Sequence, residues 1–217
     1  MLDPLEIINF FYSPEDPARE ILLLHSTQVR NKALFLSRGI PGIDLETVSI
    51  GAMLHDIGIR FCNAPDIGCY GEEDYLLHGI LGAENLRAFK NIEGMEKFAR
   101  ICERHTGSGI TALEIRERAL PLPERDLVPE TIEEKVICLA DKFFSKSGDM
   151  AEKTIPQIRK QMEKFGQDTL CRFDGQLTIR KNRLRSLRML WLTVIRYVHC
   201  RRSQKNCVQN CRLSWRL

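Results

Sequence analysis

Four of the five histidines in this sequence lie on the apolar faces of four successive segments with helical periodicity. His25 shares its face with Leu22 and Val29, for example, and His55 shares its face with Val48. A lone buried histidine is usually bonded to a backbone carbonyl, and an unsatisfied buried polar group costs about 1–3 kcal/mol. A shared metal would satisfy all four together, which favours a fold in which these helices converge. The four residues are His25, His55, His78 and His105.

The remaining pattern predicts an all-α fold, a compact helical bundle whose segments are separated by Gly and Pro. Asp44 is a candidate N-cap, and Thr131 with Glu134 forms a capping-box pattern. No segment shows the alternation of a strand, and residues 59–72 are predicted to form an irregular loop that either lines the substrate site or is a surface connection. We expect helices at about 18–37, 44–56, 74–89, 94–104, 131–144 and 154–165, with a short helix within 110–130.

Charge is distributed unevenly along the chain. After Asp174 there is no acidic residue, and residues 176–217 contain 11 Lys and Arg residues. We therefore predict one domain over residues 1–175, with its core at about 20–150, followed by a basic tail over 176–217. The tail mixes Trp, Cys and Arg without clear periodicity, so a functional basic arm, a disordered segment and a non-native end all stay open.

The N-terminal residues, MLDPLEIINFF, lack the basic region of a secretory signal, and no apolar run reaches the roughly 18 residues of a spanning helix. Five of the eight cysteines are widely scattered, and the spacing of the other three, Cys200, Cys207 and Cys211, fits no zinc pattern. Without an export signal this favours free thiols in a reducing compartment. We expect a cytoplasmic protein that binds no membrane and is not expected to bind nucleic acid. The sequence leaves a homodimer open.

Two aspartates accompany the histidines. Asp56 directly follows His55, and Asp141 lies on the same predicted face as Ile137. A buried aspartate is rare unless it is paired or binds a metal. For Asp141 the alternative is a salt bridge to an arginine such as Arg104.

The order of these residues resembles the H…HD…D signature of the HD-domain metal-dependent phosphohydrolases. His25 supplies the first position, "HDIG" at 55–58 is the commonest form of the doublet, and Asp141 in "EEKVICLAD" supplies the last. His78 in "HGILGAENL" and His105 in "RHTG" resemble the two additional histidines of the binuclear branch. That branch includes the HD-type diadenosine tetraphosphatases, and the resemblance covers roughly residues 20–150.

Two departures from the family pattern are visible. Many relatives have a basic residue directly after HDIG, whereas this chain has Ile59, with Arg60 one place later. Members of the HD-GYP type have a second histidine beside the fourth one and a GYP signature, where this chain has Arg104 and "GSGIT". The second departure argues against cyclic-di-GMP as a substrate.

The resemblance implies a bundle of the HD-domain type that holds one or two divalent metal ions. A first ion would be held by His25, His55, Asp56 and Asp141, and a second by His78 and His105 with Asp56 bridging. Imidazole and carboxylate ligands suit Fe, Mn, Co, Ni or Zn, and Mg²⁺ is also compatible. Asp56 is the central catalytic candidate. Arg60, Arg104 and Lys142 are candidates for binding phosphate oxygens.

The function implied is that of a metal-dependent phosphohydrolase, which would hydrolyse a nucleotide or another small phosphoester with a metal-activated water. This reading needs no Ser or Cys nucleophile, because water is the attacking group. Two alternatives stay open. One is a di-iron oxygenase of the HD type with the same ligands, and the other is a nucleotide-binding sensor without catalysis.

Overall fold

The structure, a computed structural model, describes residues 2–89 and 94–179. Over these residues the chain is predominantly helical, which confirms the predicted all-α class. Residues 167–179 are also helical. The other α-helices are α1 Pro4–Phe11, α2 Pro17–Ser37, α3 Leu45–Leu54, α4 His78–Ala88, α5 Met95–Arg104, α6 Ala112–Glu117, α7 Ile132–Asp141 and α8 Ile155–Glu163.

Side-chain caps set most of the helix starts. Asp44 accepts hydrogen bonds from two backbone N–H groups at the start of α3, and Thr131 with Glu134 forms the predicted capping box of α7. Asp16 caps α2 in the same way. The predicted helices 44–56 and 131–144 end two to three residues early, at Leu54 and Asp141.

The sequence-based prediction did not include helix α1, the two short strands or the helix over residues 167–179. Helix α1 has Asp3 as its N-cap and buries only Ile7 and Ile8, which is too short an apolar pattern to indicate a helix. The predicted irregular loop 59–72 contains a two-stranded antiparallel pair, β1 Asn63–Ala64 and β2 Cys69–Tyr70. Strands of two residues cannot show an alternation of apolar and polar side chains.

The chain divides into two units, Met1–Leu177 and Thr178–Leu217. The predicted basic tail, 176–217, lies outside the described residues except for its first four. Of those four, Gln176 is buried, and its amide donates a hydrogen bond to the Ser108 carbonyl oxygen at 3.4 Å. Among the described residues, no helix is long and apolar enough to cross a membrane, and the cysteines are free thiols.

The core of the first unit lies between four helices. Helix α2 packs on α3 and α7, and α5 packs on both α3 and α7, while α4 covers α5. The side chains between them are almost completely removed from water, which is the main favourable contribution to folding. They include Leu22, Val29, Val48, Leu54, Ile101 and Ile137.

Two glycines allow α4 to approach the core closely. A Cβ atom on Gly58 would lie 2.2 Å from the His78 carbonyl oxygen, and one on Gly79 would lie 2.5 Å from the Cys102 carbonyl oxygen. Both contacts are with backbone atoms, which cannot move aside as a flexible side chain could. The last residue of "HDIG" is therefore glycine because α4 passes directly over it.

We expect Gly58→Ala to destabilise the fold by about 3 kcal/mol, because the added methyl overlaps the backbone of α4. Guanidinium unfolding followed by circular dichroism measures the change. Gly175→Ala is the matched control, since a Cβ there meets nothing within 4 Å and the residue is helical. The control should be neutral or stabilising by up to about 1 kcal/mol. A Gly58→Ala protein as stable as the control would contradict the close approach.

Candidate metal centre

Five helices bring six histidine and aspartate side chains to one buried place. His25 lies in the middle of α2, whereas the other five lie at helix ends, where the chain can turn a polar side chain inward. The six residues are His25, His55, Asp56, His78, His105 and Asp141, and each is at most 8% exposed. All six were singled out from the sequence, and the structure brings them together.

Three of the histidines are oriented in the same way. The Nδ1 atoms of His55, His78 and His105 donate to the backbone carbonyl oxygen of the residue three positions earlier, at 2.7, 2.6 and 2.7 Å. A nitrogen that faces a carbonyl oxygen must carry the proton, so in the neutral ring Nε2 keeps its lone pair. All three Nε2 atoms point into the cluster, as metal-binding imidazoles require.

The Asp56 carboxylate lies between two groups of ligand-type atoms. Its Oδ2 atom is 3.2 Å from His25 Nε2 and 3.0 Å from His55 Nε2. Its Oδ1 atom is 3.4 Å from His78 Nε2 and 3.2 Å from His105 Nε2. One oxygen therefore faces each group of histidines.

Asp141 completes the first group. Its Oδ1 atom is 3.0 Å from His25 Nε2 and 3.6 Å from His55 Nε2. Within each group, one candidate ligand atom per residue lies within 4.8 Å of every other. The first group is His25, His55, Asp56 and Asp141, and the second is Asp56, His78 and His105.

The unsatisfied polar atoms of the cluster fit a bound cation. His78 Nε2 and His105 Nε2 are 3.0 Å apart. Because each keeps its lone pair in the neutral ring, the two lone pairs face each other with no proton between them. His55 Nε2 and both Asp56 oxygens are buried without a hydrogen bond of acceptable geometry, although Lys146 Nζ forms an ion pair with Asp56 Oδ2. Since buried polar atoms are normally satisfied, these residues fit one or two divalent ions.

The ionisation of Asp56 and of His78 suits metal binding. Burial would raise the pKa of Asp56, but the nearby His55 holds it well below its usual range. Burial would lower the pKa of His55, but Asp56 and Asp141 raise it to about 9. Burial, together with His105, lowers the pKa of His78 to about 3. At neutral pH Asp56 is therefore ionised and His78 is neutral, which are the forms that bind metals. His55 is protonated at this pH without a metal and would release its proton on binding an ion.

A cavity of about 640 Å³ opens beside Asp141. Residues 63–67 form part of its wall, so a portion of the 59–72 segment lines the cavity rather than serving only as a surface connection. The cavity also contains three lysines and several apolar side chains. These are Lys142, Lys146, Lys153, Phe144, Met162 and Phe165.

Neither predicted arginine reaches the cluster. The Arg60 guanidinium lies 5.2 Å from the centre of the Tyr12 ring and 3.7 Å from Asp16 Oδ2. Arg104 Nη1 lies 2.7 Å from Glu130 Oε1. Arg104 immediately precedes the inward-facing His105, and adjacent positions near a helix end point in different directions. The alternative salt bridge between Asp141 and Arg104 is wrong for the same reason.

Two lysines contact the aspartates. Lys142, a predicted site residue, has its Nζ atom 2.6 Å from Asp141 Oδ2. Lys146, which was not predicted, has its Nζ atom 2.7 Å from Asp56 Oδ2. The sequence "DKFFSK" contains no signal that separates a buried lysine from a surface one. Lys146 lies five residues beyond the end of α7, in a non-helical segment.

The family model described as "HD domain" matches residues 22–145. The chain belongs to the HD domain family. The matched region begins within α2 and ends four residues beyond α7, so it contains all six residues of the cluster. The two-letter doublet of the family name corresponds to His55 and Asp56, which lie at the centre of the geometry described above.

Curated relatives of this HD domain have longer chains. A tRNA (cytidine(56)-2'-O)-methyltransferase of Picrophilus torridus is 37% identical over 164 residues, covering 76% of this chain and 41% of the relative. An uncharacterized protein of Methanocaldococcus jannaschii is 41% identical over 102 residues, covering 47% of this chain and 51% of the relative. The chain thus spans about half or less of the length of these relatives.

Among solved structures, the HD domain of the Listeria monocytogenes phosphodiesterase PgpH is similar to this chain, with a TM-score of 0.48 and 18% identity. The match covers 88% of this chain and 100% of that domain.

We expect Asp56→Asn to weaken the binding of both ions, by about 100-fold or more, because its carboxylate is shared by the two groups. His78→Gln should remove one ion and leave the other, because His78 belongs to the second group alone. Elemental analysis after dialysis against Mn²⁺ measures the ions retained by each variant. An Asp56→Asn protein that keeps its full metal content would refute the shared carboxylate.

Proposed function

We propose that this HD domain is a metal-dependent phosphohydrolase, which hydrolyses a nucleotide or another small phosphoester with water as the nucleophile. The observation that carries the proposal is the Asp56 carboxylate, which lies between two histidine groups, in a cluster whose Asp141 borders a cavity that contains lysines. When bound, divalent ions at these groups would supply Lewis acidity and an activated water.

The ligands proposed for the first ion are His25, His55, Asp56 and Asp141. Those for the second are His78 and His105, together with Asp56. The protein's own contribution is to hold each imidazole in one tautomer through the carbonyl bonds of the helix ends. Burial also excludes bulk water from the inner side of the cluster, which strengthens the local electrostatic interactions.

The cavity supports a nucleotide as the substrate. Its lysines supply positive charge for phosphate oxygens, and Lys142 lies directly beside the cluster. The apolar side chains of Phe144, Met162 and Phe165 offer a surface on which a base can pack. Small-molecule sites commonly combine an apolar wall with a few charged groups in this way.

The name of the P. torridus relative raises methyl transfer to tRNA as another activity. More than half of the P. torridus relative lies outside the match. A converging set of neutral imidazoles and carboxylates suits metal-assisted hydrolysis, whereas methyl transfer needs a site for a methyl donor. We therefore favour hydrolysis for this domain, and a 5'-phosphorylated oligoribonucleotide belongs among the substrates to be tested.

The test is a phosphoester panel with metal-depleted protein reconstituted with Mn²⁺, Co²⁺, Ni²⁺, Fe²⁺ or Mg²⁺. The panel contains p-nitrophenyl phosphate, nucleoside mono-, di- and triphosphates, dinucleoside polyphosphates and the phosphorylated oligoribonucleotide. We expect metal-dependent release of product from at least one compound. Asp56→Asn should lower the rate by about 1,000-fold or more, since it disrupts both groups.

Asp168→Asn is the matched control. Asp168 is exposed, so this substitution removes the same charge without touching the cluster. Its rate should equal that of the wild type. Absence of turnover on every phosphoester, with full metal content confirmed, would overturn the proposal. Substrate-dependent O₂ uptake by iron-loaded protein would favour the oxygenase, and tight nucleotide binding without turnover would favour the sensor.

A further inference from the structure

Lys146 forms an ion pair inside the candidate metal centre. Its Nζ atom is 2.7 Å from Asp56 Oδ2, the same oxygen that faces His25 and His55. The Lys146 side chain is only 13% exposed, and the residue also lines the cavity beside Asp141. The ammonium group therefore lies between the buried cluster and the space available to a substrate.

The ion pair and a metal ion at the first group would compete for one oxygen atom. Asp56 Oδ2 is the carboxylate atom that this group offers, so a divalent ion there would take the charge that now attracts Lys146. Two positive groups a few ångströms apart repel each other strongly where water is excluded. Metal binding at the first group therefore favours release of Lys146 from Asp56.

The other cavity lysines are held differently. Lys142 pairs with Asp141 Oδ2, whereas the histidines lie near Asp141 Oδ1, so its ion pair does not occupy the inward oxygen. Lys153 donates to the Phe144 carbonyl oxygen at 3.2 Å. Of these three lysines, Lys146 alone pairs with a carboxylate oxygen that faces the histidines.

We propose that Lys146 binds a phosphate oxygen of the substrate, with its ammonium group turning from Asp56 into the cavity when the first metal group is filled. The proposal rests on the proposed function. The residues that follow HDIG supply no cation to the cavity beside the cluster, since Ile59 is fully buried and Arg60 faces Asp16. Lys146 reaches it from the segment that follows α7.

The test measures two binding constants for each protein, one for Mn²⁺ alone and one for inorganic phosphate added to the Mn²⁺-loaded protein, both by calorimetry. Lys146→Met removes the charge and shortens the side chain by only one heavy atom, while Lys146→Arg keeps the charge. Lys160→Met is the matched control, because Lys160 is exposed on α8 and does not line the cavity. Melting curves establish that each variant is folded.

We expect Lys146→Met to bind Mn²⁺ as tightly as the wild type or up to about 10-fold more tightly, because a competing cation is gone. Its affinity for phosphate should fall by about 10-fold to 100-fold, the effect of losing one charge-assisted hydrogen bond. Lys146→Arg should bind phosphate nearly as well as the wild type, and Lys160→Met should match the wild type in both measurements.

Two results would overturn the proposal. If Lys146→Met loses Mn²⁺ affinity, Lys146 serves to hold Asp56 in place. If phosphate affinity is unchanged in Lys146→Met, or absent in the wild type, Lys146 does not bind this anion. Neither readout depends on turnover. A protein that shows the expected binding but hydrolyses no phosphoester would support Lys146 as the anion ligand and refute the hydrolase.

Discussion

The structure depends on one buried carboxylate. Asp56 is fully buried, and its two oxygens face different pairs of histidines, each 3.0–3.4 Å away. A charge in this position is tolerated only where opposite charges or metal ions surround it. The helices that carry the histidines must therefore meet at Asp56, and the packing of the core satisfies that requirement.

The helices can meet at Asp56 because their backbones approach each other closely. Gly58 lies so close to α4 that a Cβ atom would overlap its backbone, and Gly79 brings α4 similarly close to α5. Ion pairs reinforce the same contact, because the buried Glu103 of α5 binds Arg87 of α4 and Arg125 of the segment between α6 and α7, at 2.9 Å each. These contacts fix the position of α4 relative to α5, and with it the positions of His78 and His105, the two histidines of the second group.

Much of this arrangement could be predicted from the sequence, because its signals are local. Histidines on apolar faces identified four of the six residues of the cluster, and the two aspartates were identified by their positions beside His55 and on the face of Ile137. The capping pattern identified the start of α7. The orientation of the cationic side chains could not be predicted, since Arg60 and Arg104 are directed by partners distant in sequence, Asp16 and Glu130. Lys146 was missed because its burial depends on tertiary packing alone. Helix α1 was missed because two buried residues make no periodic pattern.

The three hydrogen bonds from histidine Nδ1 atoms to carbonyls three residues earlier have a wider consequence. Each ring is aimed by a carbonyl of its own chain segment, so its direction is encoded within four consecutive residues. The hydrogen bonds use backbone oxygens, which every amino acid supplies, so the direction of each ring does not depend on the side chain three residues earlier. A centre assembled from such self-contained units can keep its geometry while the surrounding surface, and with it the choice of substrate, diverges.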